Sequence, residues 1–350
     1  MGGVRPGVRS CIATFSTKPI GFFRKLTPMV LSGTLTPFLL TYPLDRSPRG
    51  AARSIRTSSF SIMSVSTSIL LLLVTLFSHR LPAQTIDAGR GAVSLVVPAK
   101  YDKAKPAPLV VLLHGYTSSG AGQDGYMKFG ALADTYGYLF IAPDGTKEES
   151  DKKHRFWNAS PACCDFYKSN VDDSKYLKDL IDAVKKQYSV DEDRVYLIGH
   201  SNGGFMSHRM AVDHPDTIAA IASLNGAAPM TLAGPKPERP VNILHIHGTE
   251  DKLNRYKSGG EIKGVAYPGA EETVKNWAEF NDKSTKAAAA EQKLDLDKKL
   301  EGKETTVTRY GDGFELWTID GGGHVPSFTD HANKLVIDWL MAHPKAAAKK

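Results

Sequence analysis

A serine flanked by glycines ends a hydrophobic run near the middle of the 350-residue chain. The motif is Gly-His-Ser-Asn-Gly at residues 199–203, and a helical pattern begins at Phe205. This order of strand, G-x-S-x-G motif and helix is typical of a tight turn that exposes a serine hydroxyl at a helix start. Bulk at 199 or 203 would collide with neighbouring backbone, and the helix start favours developing negative charge. The pattern predicts Ser201 as a nucleophile.

A serine hydroxyl is a weak nucleophile and needs a histidine that accepts its proton. His324 follows three glycines, which themselves follow a predicted strand at residues 315–319. Such a loop can bring the imidazole over Ser201, so we predict His324 as the base. The other histidines beyond Ser201 lie in predicted strands or helices or at their ends: His208, His214, His245, His247, His331 and His343.

The histidine in turn needs a carboxylate that holds it in the productive tautomer. In the α/β-hydrolase fold this acid lies between the serine and the histidine along the chain. Residues 248–251 leave the carboxyl end of a predicted strand at 241–246, an edge where open α/β sheets place functional groups. Asp251 is the favoured acid, with Glu250 and Asp320 as alternatives.

Attack by such a serine on a carbonyl group also needs two backbone N–H donors in place before charge develops on the carbonyl oxygen. Asn202, directly after the nucleophile, supplies one of them. The second is expected in the loop that follows a predicted strand at residues 109–113. Gly115 allows a close approach there, and Tyr116 or Thr117 offers the N–H.

Hydrophobic patterning identifies the elements that must position these residues. From Gly91 onward, apolar runs alternate with helical patterns, which predicts a mostly parallel sheet with helices on both faces. We therefore predict the α/β-hydrolase fold in a single catalytic domain. The charged stretch at 283–303 is expected to be a solvated helix or a mobile loop. Strands are predicted at residues 92–98, 109–113, 138–142, 194–199, 218–224, 241–246 and 315–319, and helices at 120–136, 171–188, 271–280 and 331–341.

Positive charge is concentrated at the N-terminus. Residues 1–83 hold ten Lys or Arg and a single acid, Asp45, a net +9 against +7 for the whole chain, so the remainder carries −2. A basic balance can indicate nucleic-acid binding. Because the excess lies outside the predicted catalytic domain, no nucleic-acid partner is expected.

An apolar stretch at residues 68–77 has the length of a signal-peptide core and is shorter than the roughly 20 residues that span a bilayer. With Met63 before it and Ala83 after it, it predicts a signal peptide at 63–83. Residues 1–62 are then a non-native or disordered extension, 84–344 the catalytic domain and 345–350 a disordered tail. We expect a secreted or periplasmic protein without stable membrane insertion. A long leader such as a transit peptide, or an uncleaved anchor, stays open.

Signal cleavage would leave Cys163 and Cys164 as the only cysteines, since the third is Cys11. In an oxidising compartment each would be the other's only partner within the chain. Neighbouring Cα atoms lie about 3.8 Å apart, which is closer than a disulfide usually requires. A disulfide and two buried thiols are therefore both open.

These motifs together resemble the secreted esterases grouped as polyhydroxybutyrate depolymerase-like, which include feruloyl and acetylxylan esterases. The resemblance covers residues 92–344 and implies the same triad. It also places Trp157 and the cysteine pair near the substrate cleft, although Trp157 could equally be a core residue. Asp172 and Asp173 are expected to cap the following helix. The matching motifs are Leu112-Leu113-His114-Gly115, Ala142-Pro143-Asp144-Gly145, Phe156-Trp157-Asn158-Ala159, Cys163-Cys164, Val171-Asp172-Asp173, Gly199-His200-Ser201-Asn202-Gly203-Gly204, His247-Gly248-Thr249 with Asp251, and Gly321-Gly322-Gly323-His324.

The resemblance implies hydrolysis of a carboxylic ester through an acyl-enzyme, with no metal or organic cofactor. His200 is expected to bind substrate, as Trp157 is. Polymer depolymerases of this group commonly carry another residue at the position before the nucleophile, so His200 favours small or aryl esters. Only an Ala/Lys tail follows Pro344, so a small or oligomeric ester is expected rather than a solid polymer. A serine peptidase of the same fold and a non-catalytic secreted binding protein are the alternatives. The pattern does not indicate an oligomeric state.

Overall fold

The computed structural model describes residues 84–150, 152–234, 236–289 and 293–347. The predicted extension at 1–62 and the predicted signal peptide at 63–83 lie outside these residues. Strands alternate with helices along the described chain, as the patterning predicts. The strands are β1 (Thr85–Asp87), β2 (Ala92–Val96), β3 (Ala107–Leu113), β4 (Leu139–Ile141), β5 (Thr146–Lys147), β6 (Arg155–Phe156), β7 (Val190–His200), β8 (Ala220–Leu224), β9 (Asn242–Gly248), β10 (Gly260–Ile262), β11 (Val265–Tyr267), β12 (Ala288–Ala289), β13 (Thr305–Arg309) and β14 (Phe314–Ile319).

The helices cover both faces of the sheet. A 3₁₀ turn at Gly130–Leu132 lies between the first two. The helices are α1 (Gly120–Met127), α2 (Ala133–Tyr136), α3 (Asp173–Gln187), α4 (Asn202–Asp213), α5 (Ala270–Phe280) and α6 (Ala332–Ala342).

The main sheet has ten strands in the described residues, in the order β1-β2-β4-β3-β7-β8-β9-β14-β13-β12. Its centre, from β4 to β14, is parallel throughout. The two strands at each edge pair antiparallel. Two small antiparallel ribbons, β5-β6 and β10-β11, lie outside this sheet.

Strand β3 shows why the sheet lies between two layers. Every one of its residues is buried, and alternate side chains point to opposite faces. Leu109 and Val111 join the core beneath α3, α4 and α5, whereas Val110 and Leu112 join the core beneath α1 and α6. The predicted fold class, a mostly parallel sheet with helices on both faces, is confirmed.

Parallel pairing brings the carboxyl ends of five neighbouring strands to one edge. In sheet order these strands are β3, β7, β8, β9 and β14. Their last residues are Leu113, His200, Leu224, Gly248 and Ile319. The loops that leave them contain all the predicted catalytic and oxyanion residues, so the sheet gathers at one edge groups that are up to about 200 positions apart in sequence.

The predicted helix at 120–136 is wrong as a single element. Lys128 adopts a left-handed conformation with φ 58°, and its N–H donates to the Asp124 carbonyl, which ends α1. The Asp124 carboxylate then accepts the Gly130 N–H at 2.8 Å. This side-chain bond starts a second, short helical segment, because aspartate competes with the helix for backbone donors.

Of the two expectations for residues 283–303, the helix is wrong in the described part, which is mainly loop with one short strand. No helix forms at 283–289 or 293–303; the chain pairs as β12 with β13, and Leu294 bridges to Thr305. Leu296 is fully buried, and its N–H donates to the Glu304 carboxylate at 2.9 Å. Burial of Leu296 and these backbone bonds hold the segment against the domain.

The boundary of the disordered tail needs a correction as well. Lys345 is buried, and its ammonium donates to the carbonyls of Pro215 and Ile218. Its backbone N–H donates to the Asp193 carbonyl at 2.8 Å. These bonds tie the residue to the end of the domain opposite the catalytic loops.

The described residues include no helix that is both long enough and apolar enough to cross a lipid bilayer.

Leu296→Ala is expected to lower the free energy of unfolding by about 2–5 kcal/mol, because it leaves a cavity in the core beneath α6. Leu253→Ala is the matched control, because Leu253 is 68% exposed and should change stability by less than about 0.5 kcal/mol. Urea unfolding followed by fluorescence measures both. Equal values for the two variants would contradict the packing of Leu296.

Candidate active site

Ser201 occupies the sharp turn between β7 and α4. Its φ of 53° and ψ of −118° are values that a residue with a side chain rarely adopts. A Cβ at position 199 would overlap the Gly203 carbonyl, and one at 203 would overlap the Leu113 carbonyl. The Ser201 N–H donates to the Leu224 carbonyl at 2.8 Å. Two glycines and one cross-strand bond thus hold the hydroxyl at the sheet edge.

A continuous line of hydrogen bonds joins the three predicted triad residues. His324 Nε2 lies 2.9 Å from Ser201 Oγ, and His324 Nδ1 lies 2.7 Å from Asp251 Oδ2. Because a carboxylate only accepts, Nδ1 carries the proton and Nε2 offers its lone pair to the hydroxyl. This is the tautomer that a general base requires.

The carboxylate of Asp251 is held in a fixed orientation. Its second oxygen accepts the N–H groups of Leu253 and Asn254 at 2.8 and 2.9 Å. Burial opposes ionisation, but the hydrogen bond and charge of His324, together with the Asn254 N–H, outweigh it and lower the pKa of Asp251. The group is therefore ionised at neutral pH.

The two alternative acids lie elsewhere. Glu250 is exposed, and the interaction recorded for it is a bond from its backbone N–H to the Gly322 carbonyl. Asp320 is also exposed, with its carboxylate 3.4 Å from the Thr249 hydroxyl. Asp251 is the residue whose carboxylate reaches the His324 ring.

The oxyanion prediction needs one correction. The Thr117 N–H donates to the Arg155 carbonyl at 2.8 Å, so it is already used within the protein. Tyr116 lines the same cleft as Ser201 and stays a prediction as the second donor. Asn202 is the first residue of α4, where N–H groups have no partner within the helix.

Comparison with known proteins agrees with this fold and geometry. The family described as Phospholipase/Carboxylesterase matches residues 95–267, which contain Ser201 and Asp251 and end before His324. The chain has the α/β-hydrolase fold. The acetyl xylan esterase from Aspergillus awamori shares the fold, with a TM-score of 0.54 at 18% identity, over 74% of this chain and 98% of that one.

Two curated relatives agree with the resemblance. Feruloyl esterase B of Piromyces equi is 27% identical over 236 residues, which are 65% of this chain and 41% of the relative. Poly(3-hydroxyalkanoate) depolymerase C of Paucimonas lemoignei is 32% identical over 124 residues, which are 34% of this chain and 28% of the relative. The matched segments span less than half of either relative.

The His-Gly motif of this α/β-hydrolase has a structural explanation. His114 is buried, and burial lowers its pKa to about 4, so the ring is neutral. Its Nε2 accepts the Gly145 N–H at 2.8 Å, and its Nδ1 lies 2.8 Å from the Gly115 carbonyl. The Asp144 carboxylate accepts the Gly120 N–H at 2.9 Å. The motif residues thus fix both ends of the oxyanion loop.

Trp157 does not line the cleft, which corrects its assignment as a substrate-binding residue. The side chain is fully buried, and its indole N–H donates to the His114 carbonyl at 3.0 Å. Its backbone N–H and carbonyl both bond the Asn202 side-chain amide, at 2.7 and 2.8 Å. Trp157 is a core residue that joins the nucleophile turn to the loop of the cysteine pair.

The cysteine pair forms a disulfide between neighbouring residues, Cys163 and Cys164. Both residues are buried, and Cys164 contributes to the wall of the cleft. Phe166, two residues further on, lies beside it in the same wall. The bridged segment therefore brings an aromatic ring to the cleft.

Asp172 caps α3 as predicted, whereas the Asp173 carboxylate bonds residues outside that helix. The Asp172 carboxylate accepts the Lys175 N–H at 2.9 Å and caps the helix. Asp173 accepts the Asn158 N–H at 2.6 Å and pairs with Arg90. Neither residue belongs to the cleft lining.

The cleft above Ser201 has a volume of about 610 Å³ and a mainly apolar wall. His200 lies in this wall, as expected. Burial and the neighbouring His324 lower the pKa of His200 to about 4. The neutral ring donates from Nε2 to the His324 carbonyl at 2.8 Å, since a carbonyl only accepts. Other cleft residues are Tyr126, Phe166, Leu253, Ile262 and Val325.

Three buried residues lie behind the triad: Asn225, His247 and Asn254. Sequence reasoning missed the two asparagines, and it found His247 in a motif without giving it a role at the site. His247 Nε2 lies 2.8 Å from the Asn254 carbonyl and 3.6 Å from the Asp251 carboxylate. The only available signal was position, because Asn225 directly follows a predicted strand. In the part of the chain that the structure describes, no group of three or more His, Cys, Asp or Glu is arranged to hold a metal ion.

Asp251→Asn is expected to lower kcat by about 10³–10⁴-fold, because an amide no longer enforces the productive His324 tautomer or stabilises the imidazolium. Initial rates on 4-nitrophenyl acetate at pH 7.5 measure the effect. Glu250→Gln is the matched control, because it removes the neighbouring exposed charge and should leave kcat unchanged. A larger loss for Glu250→Gln than for Asp251→Asn would show that the acid is assigned wrongly.

Proposed function

We propose that this protein is a serine carboxylic-ester hydrolase that works through an acyl-enzyme. One observation carries the proposal: an unbroken hydrogen-bonded line runs from Asp251 through His324 to a hydroxyl held on a strained turn at the floor of a cleft. Buried polar groups do not converge in this way without cost, since each must be desolvated and oriented. The arrangement supports nucleophilic attack by Ser201 on a carbonyl carbon.

In the first half-reaction, Ser201 Oγ attacks the ester carbonyl while its proton moves to His324 Nε2. The carbonyl oxygen becomes an oxyanion, for which the N–H groups of Asn202 and Tyr116 are the proposed donors. The Asp251 carboxylate stabilises the imidazolium. When the tetrahedral intermediate collapses, His324 returns the proton to the leaving alcohol, and the acyl group stays on Ser201.

In the second half-reaction, water takes the place of the alcohol. His324 accepts a proton from the water, whose oxygen attacks the acyl carbon. Collapse of this second intermediate breaks the bond to Ser201 Oγ, and the proton passes to that oxygen. The carboxylic acid leaves and the site returns to its starting state.

The substrate we propose is a small or oligomeric ester with an apolar or aromatic group beside the scissile bond. The rings of Phe166 and Tyr126 and the side chain of Ile262 offer apolar contact within the cleft. The names of two relatives agree with this proposal: one is a feruloyl esterase, which points to an aromatic ester, and the other is a hydroxyalkanoate depolymerase, which points to an oligomeric ester. A volume of about 610 Å³ accommodates a ligand of this size.

The protein is proposed to act outside the cytoplasm, in the periplasm or medium. The support is the apolar stretch at 68–77 with a small residue at 83, together with a disulfide, which persists mainly in oxidising compartments. Expression of the full chain, followed by N-terminal sequencing of exported protein, should give Gln84 or a near neighbour as the first residue. Recovery only in the cytoplasm with residues 63–83 intact would contradict export.

Hydrolysis by wild type and Ser201→Ala should be compared on methyl ferulate, 4-nitrophenyl acetate, soluble hydroxybutyrate oligomers and a peptide anilide. We expect turnover of at least one ester and a loss of about 10⁴-fold or more in the variant. A fluorophosphonate should label Ser201 in the wild type alone. Activity confined to the anilide would favour a peptidase, and a folded protein that neither turns over nor is labelled would favour a binding protein.

A further inference from the structure

Strand β8 lies between the strand of the nucleophile and the strand of the acid, yet no triad residue follows it. The residue after its end is Asn225, which is fully buried and has φ 49°. Asparagine tolerates this left-handed conformation better than most residues. A buried amide is costly unless its donor and acceptor groups are both bonded, so the partners of Asn225 indicate its role.

One set of partners belongs to the loop of the acid. Asn225 Oδ1 accepts the Gly248 N–H at 2.9 Å, at the residue where β9 ends. The Asn225 carbonyl accepts the side-chain amide of Asn254 at 2.6 Å. Asn254 in turn donates its backbone N–H to the Asp251 carboxylate at 2.9 Å. Asn225 therefore holds this loop on both sides of Asp251.

The other set belongs to the loop of the base. Asn225 Nδ2 donates to the carbonyls of Gly323 and His324, at 3.1 and 2.8 Å. The His324 carbonyl also accepts the ring N–H of His200 at 2.8 Å. The backbone that carries the catalytic imidazole is thus fixed by side chains from β7 and from the end of β8.

We propose that Asn225 is a positioning residue for the ester hydrolysis proposed above, on which this inference rests. It sets the loop of Asp251 and the loop of His324 relative to each other. The triad needs both His324 bonds, at 2.7 and 2.9 Å, at the same time. The two partners of the His324 ring, Ser201 and Asp251, follow different strands, β7 and β9. A shift of the His324 loop or of the Asp251 loop therefore breaks at least one of these bonds.

An amide at position 225 both accepts the Gly248 N–H and donates to the Gly323 and His324 carbonyls. The acceptor faces the acid loop and the donor faces the base loop, so a carboxylate keeps the first contact and loses the second. A role in packing alone would not require this polarity, since both polar atoms of the side chain bond catalytic loops. Asn225 contacts neither substrate nor reacting atoms in this arrangement and acts through its partners.

Two variants test the proposal. Asn225→Asp keeps size and the Gly248 contact, but it removes the donor to the Gly323 and His324 carbonyls. Asn225→Gly removes the side chain and still accepts positive φ, which guards against a failure of the Asp variant to fold. Asn242→Asp is the matched control, because the Asn242 amide also donates to backbone carbonyls, those of Ala219, His343 and Pro344, at the opposite end of β9.

The readouts are kcat and KM on 4-nitrophenyl acetate, the second-order rate of labelling by a fluorophosphonate, and the thermal midpoint. We expect both Asn225 variants to lose about 10–100-fold in kcat and in labelling rate, with KM within about threefold of wild type. Asn242→Asp should lower only the thermal midpoint. This split between kcat and KM is not what a general loss of stability produces.

Folded Asn225 variants that keep kcat within twofold of wild type would overturn the proposal. An equal loss of kcat in Asn242→Asp would also overturn it, because the effect would then be one of stability. Failure of the proposed esterase function is distinguishable, since wild type would then turn over no ester, or Ser201→Ala would turn over esters equally well. The labelling rate reports the geometry around Ser201 even when no ester is turned over.

Discussion

The site depends first on the backbone turn at Ser201. A φ of 53° on a residue with a side chain costs of order 1–3 kcal/mol, so the surrounding structure must hold it. The Leu113 carbonyl approaches position 203 so closely that only glycine fits. This contact brings the end of β3 against the start of α4. The oxyanion loop lies beside the nucleophile because the turn leaves no room for a side chain between them.

Buried histidines around the triad act as neutral hydrogen-bonding groups. Burial lowers the pKa of His114, His200 and His247, so each ring keeps one donor and one acceptor at neutral pH. A cationic His200 or His247 would disfavour the imidazolium that His324 must become. With these rings neutral, the charge that faces His324 is the Asp251 carboxylate. Burial therefore serves the chemistry by keeping competing positive charge away.

Sequence reasoning succeeded where the role of a residue depends on its neighbours in the sequence. The glycines around Ser201 and before His324 have local steric reasons, and the hydrophobic runs follow strand geometry. It failed where the partner is distant: Thr117 is excluded as a donor by the Arg155 carbonyl, and Trp157 is withdrawn into the core by His114 and Asn202. Leu296 likewise fills a pocket that exists only in the folded chain. No local pattern encodes such contacts.

Two of the asparagines near the triad, Asn202 and Asn225, follow one physical rule. A side-chain amide carries a donor and an acceptor, so it can replace a backbone partner where two segments meet outside regular pairing. Asn202 does this with the backbone of Trp157, and Asn225 does it between Gly248 and His324. Amides do not titrate, so these contacts persist while His324 gains and loses its proton. Ion pairs at the positions of these amides would grow stronger or weaker each time the charge on His324 changes. The loops that carry the triad would then be held less rigidly.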